Sequence, residues 1–226
     1  GDMAVVDRPC LYTLRHYERK LFGRTKWADR DIVVGLRLMK SFKYILIDGT
    51  AGEVEFCGEG SFEPDPNESW PHYAMRVEQK GRNLERLMVT MPLAGEKRKV
   101  MLDTGADCGL LVCEKIWRSL SGGLEILKQS REGARMRDGL EKVTVVTVES
   151  MNVGKRTIEN AAVHVMADED AAEDYFLLGM GYFTDTVIVL DFVHDLLWVK
   201  DVERDMFGAE ARLDAVDMPV IREVGD

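Results

Sequence analysis

Short runs of aliphatic and β-branched residues, each closed by a glycine or aspartate turn signal, recur along most of this chain. Runs of roughly four to eight such residues fit strands and are too short for buried helices. Ile45-Leu46-Ile47, the turn Asp48-Gly49, and Glu53-Val54-Glu55-Phe56 read as strand, turn, strand. His72 to Val77 alternates, which places Tyr73, Met75 and Val77 on one side. Leu87 to Leu93, then Lys99 to Leu102 after the Gly95-Glu96 turn, continue the pattern, as do Val143 to Val148, Ala161 to Met166, Thr186 to Leu190 and Leu196 to Val199. Helical spacing is rarer: Leu11 to Phe22, Glu114 to Leu120, and a short turn near Tyr182. The chain is therefore expected to be all-β, a barrel or a sandwich.

Composition narrows the function classes. With 226 residues, 46% of them hydrophobic, the chain can bury the core of one domain, or of one and a half. The 40 acidic against 30 basic residues leave a net charge of −10, which argues against a nucleic-acid partner, since phosphate binding needs a basic stripe. No apolar run approaches the ~20 residues of a membrane helix, so no membrane partner is expected. Cys10, Cys57, Cys108 and Cys113 form no CxxC pair, and His16, His72, His164 and His194 are scattered. Neither a metal nor another cofactor is expected from that distribution. Reduced thiols favour a cytoplasmic setting, and Gly1-Asp2-Met3, which lacks a signal-peptide pattern, looks like the scar of a cleaved tag. Residues 58–70, with two prolines and two glycines, read as a linker, and Glu203 to Asp226 as a polar, acidic tail.

One motif carries chemistry. The apolar run Val100-Met101-Leu102 ends in Asp103-Thr104-Gly105-Ala106-Asp107. A carboxylate at the end of a buried strand is costly unless it is hydrogen-bonded or has a task. Gly105 lets the backbone turn tightly and bring N–H groups toward that carboxylate. By itself Asp-Thr-Gly is better read as a strand-end turn with a solvated aspartate, since three residues recur by chance.

A second pattern downstream changes that balance. Leu177-Leu178-Gly179-Met180-Gly181-Tyr182-Phe183 precedes the strand Thr186 to Leu190 and Asp191-Phe192. Together with the Asp103 loop it resembles the paired signatures of the retropepsin family of aspartic proteases. Between the two lie Val143 to Val148, the Met151–Thr157 hairpin and Val163 to Met166, which resemble the family's intervening strands. The resemblance spans roughly Pro71 to Val202. It implies an all-β, closed acid-protease barrel lobe with one or two short helices over residues 61–203, an N-terminal extension over 1–60, and the tail over 204–226. It implies an aspartic endopeptidase that hydrolyses peptides or proteins. Asp103 would be the catalytic carboxylate, Thr104 would reach across to a second lobe, Gly105 would shape the loop, and Ala106 and Asp107 would meet the substrate main chain. The stretch with Gly133 at its tip, together with Ala134 and Gly139, reads equally as a polar surface loop or as the flap the resemblance implies; as a flap, its Arg131, Arg135 and Arg137 would favour acidic substrate segments. Met180 stands where retroviral members usually carry an arginine that pairs with the loop acid, so Asp107 loses that partner. The segment Glu114 to Leu127, longer than in viral enzymes, looks like a helix with Ile116, Leu120 and Leu124 on its apolar face.

The chain also resembles itself. Val34-Gly35-Leu36-Arg37-Leu38-Met39 followed by Tyr44 to Asp48 parallels Leu178 to Phe183 followed by Val187 to Asp191, with a one-residue gap. Asp48-Gly49-Thr50, a scrambled echo of Asp-Thr-Gly, aligns with Asp191 and reads as a hairpin turn. Residues 1–57 are then either the tail of an upstream lobe or an independent β extension. Three readings follow: a homodimer in which each chain donates Asp103, an inactive half of a bilobal enzyme, or a peptide-binding or dimerisation module without catalysis. The Asp-x-Gly loop of actin-like ATPases is excluded, because that fold needs two α/β lobes and far more helix.

Overall fold

The computed structural model describes residues 20–21, 24–25, 34–80, 84–136, 139–168 and 176–202. In chain order the elements are β1 (Lys20–Leu21), β2 (Arg24–Thr25), α1 (Leu36–Met39), β3 (Tyr44–Asp48), β4 (Glu53–Cys57), β5 (His72–Lys80), β6 (Leu84–Leu93) and β7 (Glu96–Asp103). They continue as β8 (Leu110–Cys113), α2 (Glu114–Leu120), β9 (Ile126–Met136), β10 (Gly139–Val153), β11 (Arg156–Met166), β12 (Phe176–Gly179), β13 (Thr186–Asp191) and β14 (Leu196–Asp201). The fold is the all-β lobe the sequence predicts.

Strands β3 to β14 form one twelve-stranded sheet in the order β4-β3-β13-β14-β5-β6-β7-β12-β8-β11-β10-β9. The sheet curls until Val153 of β10 pairs with Leu93 of β6, which closes β6-β7-β12-β8-β11-β10 into a barrel. Two flanking bonds reinforce the seam: Ala94 N donates to Asn152 O at 2.9 Å and Gly154 N to Pro92 O at 2.7 Å. Closure satisfies strand edges that would otherwise be open.

Alternation explains why the barrel holds. On β7, Val100 and Leu102 are buried in the main core, while Met101 between them faces a second cluster with Leu111, Val145 and Leu177. On β5, Tyr73 and Met75 are buried while His72, Ala74 and Arg76 face out, the side assignment read from the sequence. Tight hairpins set the register. Ala94 and Gly95 both have positive φ (48° and 85°), the two-residue primed turn that matches strand twist. Gly154 (φ 66°) opens the β10–β11 turn, where an added Cβ would strike the Tyr73 ring, and the next residue, Lys155, donates its N–H to the Tyr73 hydroxyl at 2.7 Å.

Arg156, with its side chain 11% exposed, ties this hairpin to the base of the β13–β14 hairpin. Its guanidinium pairs with Asp185 at 2.8 Å and with Asp201, and donates to the Tyr182 carbonyl. Nothing in the sequence singled out this residue.

Several expectations are corrected. The helix expected over Leu11 to Phe22 lies mostly outside the described residues, and Lys20–Leu21 within it is a strand paired with Arg24–Thr25. The helix expected over Glu114 to Leu127 stops at Leu120. Ser121–Gly123 forms a single 3₁₀ turn, because Gly122-Gly123 gives up helical propensity. Ile126–Met136 is then a strand that the sequence hid, its polar run carrying no apolar alternation. The segment 58–70 has no regular structure yet is not a free tether, since Phe62 packs edge-on against Tyr44 and Trp70 and lies 5.8 Å from the Trp198 ring. The tail over 204–226 lies outside the described residues.

Replacing Gly154 by valine forces a β-branched residue into positive φ against the Tyr73 ring. The expected cost is about 2–4 kcal/mol, read as a lowered midpoint of chemical unfolding.

Candidate active site

Asp103 is the last residue of β7, a strand whose Val100 and Leu102 are anchored in the core. That anchoring fixes where the half-buried carboxylate stands. The chain then turns: Gly105 N donates to Asp103 Oδ1 at 2.9 Å, and Ala106 N to the Asp103 carbonyl at 3.2 Å. A Cβ at Gly105 would stand 3.3 Å from Oδ1, so glycine keeps the approach uncrowded. Among the described residues the second carboxylate oxygen, Oδ2, has no hydrogen-bond partner, and neither has the Thr104 hydroxyl.

The two sequence signatures meet here. β12 runs parallel to β7, with Leu177 opposite Met101, Leu178 opposite Leu102 and Gly179 opposite Asp103, and antiparallel to β8 on its other side. The loops beyond these strands are stitched by backbone bonds. Gly179 N donates to Gly109 O at 2.9 Å, Met180 N to Ala106 O at 2.8 Å, and Gly181 N to Cys108 O at 3.1 Å. Such contact leaves no room for side chains. A Cβ on Gly179 would collide with the Cys108 carbonyl, one on Gly181 would stand 2.6 Å from the Asp107 carbonyl, and one on Gly109 would enter the Tyr182 ring. Gly109 escaped the sequence reading, which placed Tyr182 in the second signature without its contact to Gly109. The available signal was the second glycine, Gly181, which implied an unusually close neighbour.

Burial shifts two ionisable groups beside the loop. Tyr182 is buried, its hydroxyl donating to Ala162 O at 2.7 Å, and burial raises its pKa far above the ordinary tyrosine value. Burial, then the Asp107 charge, push the Cys108 thiol up to about 11, so it is no thiolate nucleophile near neutral pH. Asp107 is exposed and, among the described residues, has no ion-pair partner. Met180, in place of an arginine, packs against the core instead. Among the described residues no group of three His, Cys, Asp or Glu side chains could hold a metal ion. An open groove of about 580 Å³ lies elsewhere, between α2 and the β9–β11 strands, and Asp103 is not part of its lining.

The flap region is a long hairpin rather than a loop. Gly133 pairs with Lys142, Ala134 with Glu141, and Gly139 with Met136. The expected tip at Gly133 is therefore displaced: Gly133 and Ala134 lie on the ascending strand, and the chain reverses between Met136 and Gly139. Arg137 falls in that turn, outside the described residues.

The arrangement is an aspartate-ended strand interlocked with a second glycine signature inside a closed β lobe, consistent with a retropepsin-like all-β fold. Residues 89–185, which carry both signatures, match the family described as gag-polyprotein putative aspartyl protease. The match spans less than half of the chain. Among solved structures, a retropepsin-like aspartic protease from Rickettsia conorii is 22% identical, with 58% of this chain and 90% of that one covered at a TM-score of 0.38. The EIAV protease complexed with the inhibitor HBY-793 is 18% identical, covering 44% of this chain and 86% of that one at 0.34. Basic 7S globulin from soybean is 9% identical, covering 70% and 50% at 0.35. No curated protein matches the chain.

At pH 8 Cys108 is expected to alkylate about 100-fold more slowly than an ordinary thiol, matching its upward pKa displacement. Iodoacetamide labelling followed by peptide mapping, with free cysteine as reference, measures this.

Proposed function

We propose that the protein is an aspartic endopeptidase in which Asp103 is one of two carboxylates that activate a water against a peptide carbonyl. The observation that carries this reading is the Asp103 loop itself. One carboxylate oxygen is held by Gly105 N, the other has no partner among the described residues, and the loop is braced from behind by Gly179 to Gly181.

The chemistry requires a pair. Two carboxylates at contact cannot both ionise, so they share one proton and titrate as a unit. The ionised partner takes a proton from the attacking water, and the protonated one donates to the carbonyl oxygen as the tetrahedral intermediate forms. The brace contributes rigidity, since the Asp103 carboxylate must keep its place while charge moves across the dyad. Thr104, its hydroxyl unengaged, is positioned to bond across to the second lobe. Ala106 and exposed Asp107 border the space where substrate main chain would run. The β9–β10 hairpin is the element suited to cover a bound peptide and exclude water. Arg131 and Arg135 on its ascending strand favour substrates with acidic residues near the scissile bond.

In any preparation that cleaves peptides, Asp103→Asn should lower the rate at least about 10³-fold and leave thermal unfolding unchanged. A preserved rate would sink the assignment. A peptide library cleaved with no preference for acidic residues near the cut would remove the role given to Arg131 and Arg135.

A further inference from the structure

The internal repeat is built into the sheet. β3 pairs antiparallel with β13, Leu46 lying opposite Val189, Ile45 opposite Leu190 and Ile47 opposite Ile188. In the sequence repeat Leu46 aligns with Val189, Ile45 with Ile188 and Ile47 with Leu190. Each residue thus faces the counterpart of its own mirror position, and a local two-fold axis passes through the Leu46–Val189 pair. The hairpins obey the same relation. Asp48 pairs with Glu53 across a four-residue turn, as Asp191 does with Leu196. Asp48 Oδ1 accepts from the N–H groups of Thr50 and Ala51 at 2.8 and 2.9 Å. Asp191 Oδ1 accepts from Val193 and His194 at 3.0 Å each, the same two offsets along the chain. Each hairpin is preceded by a glycine that opens a one-turn helix, Gly35 before α1 and Gly179 before the 3₁₀ turn Met180–Tyr182.

The symmetry fails in burial, and the failure is one-sided. Leu197 is fully buried, whereas its counterpart Val54 is 51% exposed. Leu190 and Val199 are core residues, whereas Ile47 and Phe56 are only partly buried. β14 is covered on its outer edge by β5, through Leu197–Tyr73 and its neighbours. The outer edge of β4, its counterpart, has no partner strand among the described residues. Leu197 and Val199 are dry because their own lobe packs on them. Among the described residues no such lobe packs on the matching surface of β3 and β4.

We infer that residues 34–57 are the closing segment of a second lobe of the same fold, and that the Ile47, Val54 and Phe56 face and the β4 edge receive the rest of it. The occupant is a retropepsin-like lobe lying on the N-terminal side of Val34, which adds a strand to β4 as β5 adds to β14. By the relation of Gly179 to Asp103, its own Asp-Thr-Gly loop ends opposite Gly35. The second carboxylate of the dyad comes from this lobe and not from a second Asp103, because β3 already occupies the β13 edge on which a partner copy's β13 would have to lie. This rests on the aspartic-protease reading of Asp103 and names the source of its partner.

The test starts with the 226-residue chain. Light scattering should show a monomer up to near-millimolar concentration, with a peptide library left uncut. A dimer whose cleavage is lost in Asp103→Asn would overturn the inference while leaving the protease assignment standing. A tandem in which a copy of residues 58–178 is joined ahead of Gly35 supplies the proposed lobe. In the tandem, hydrogen exchange at the β4 amides should slow at least tenfold relative to the chain alone, and Val54→Asp should reverse this. Cleavage should appear and be lost when either aspartate is changed to asparagine. A folded tandem whose β4 amides exchange as before overturns the inference. A tandem that protects β4 yet cuts no peptide supports the lobe and overturns the protease assignment instead.

Discussion

Everything at the site depends on one steric constraint, the contact of two loops through backbone alone. The turn after Asp103 and the turn after Leu178 are bonded N–H to carbonyl at three successive points, and the approach requires hydrogen at Gly109, Gly179 and Gly181. A single Cβ at any of them would separate the loops, and the strand that carries Asp103 would lose its brace. The same contact lets β12 insert between β7 and β8 in the barrel wall. The core that stabilises the lobe thus also holds the Asp103 carboxylate in position.

On the proposed function, what the brace presents is half of a reaction centre. A lone strand-end aspartate with one oxygen held by a backbone N–H has no reason to activate water strongly. The proton sharing that raises one pKa and lowers another exists only when a second carboxylate is forced close. The lobe is accordingly rigid and well packed behind Asp103 and open in front of it, where Oδ2, the Thr104 hydroxyl and the Asp107 carboxylate are unengaged among the described residues.

The β4-β3-β13-β14 unit gives that openness a direction. Two equivalent hairpins abut across a local two-fold axis, yet among the described residues only one is backed by a lobe. Sheet pairing across such an axis is a strong geometric constraint, because strand register sets the relative position of whatever hangs from each hairpin. The aromatic cluster of Tyr44, Phe62, Trp70 and Trp198 fastens the connecting segment over the same unit, so the orientation of the two hairpins does not rest on backbone bonds alone.

Much of this was readable in the chain of letters, and the division has physical causes. The strands of the barrel, the Asp103 loop, its downstream partner signature and the repeat are local patterns: periodicity, turn residues and apolar runs that any segment carries by itself. Sequence reading failed where local signal was absent or misleading. Ile126–Met136 is polar and becomes a strand only because β10 lies beside it, and Gly133 looked like a turn because glycine in isolation does. Arg156, Gly109 and Tyr182 matter through neighbours far away in the chain. The sequence by itself determined the class of fold and singled out the Asp103 loop as the candidate site, since both follow from short-range pattern. The tertiary structure decided how that carboxylate is braced, where the hairpin turns and which edge is already occupied, because those depend on contacts between segments that no local pattern encodes.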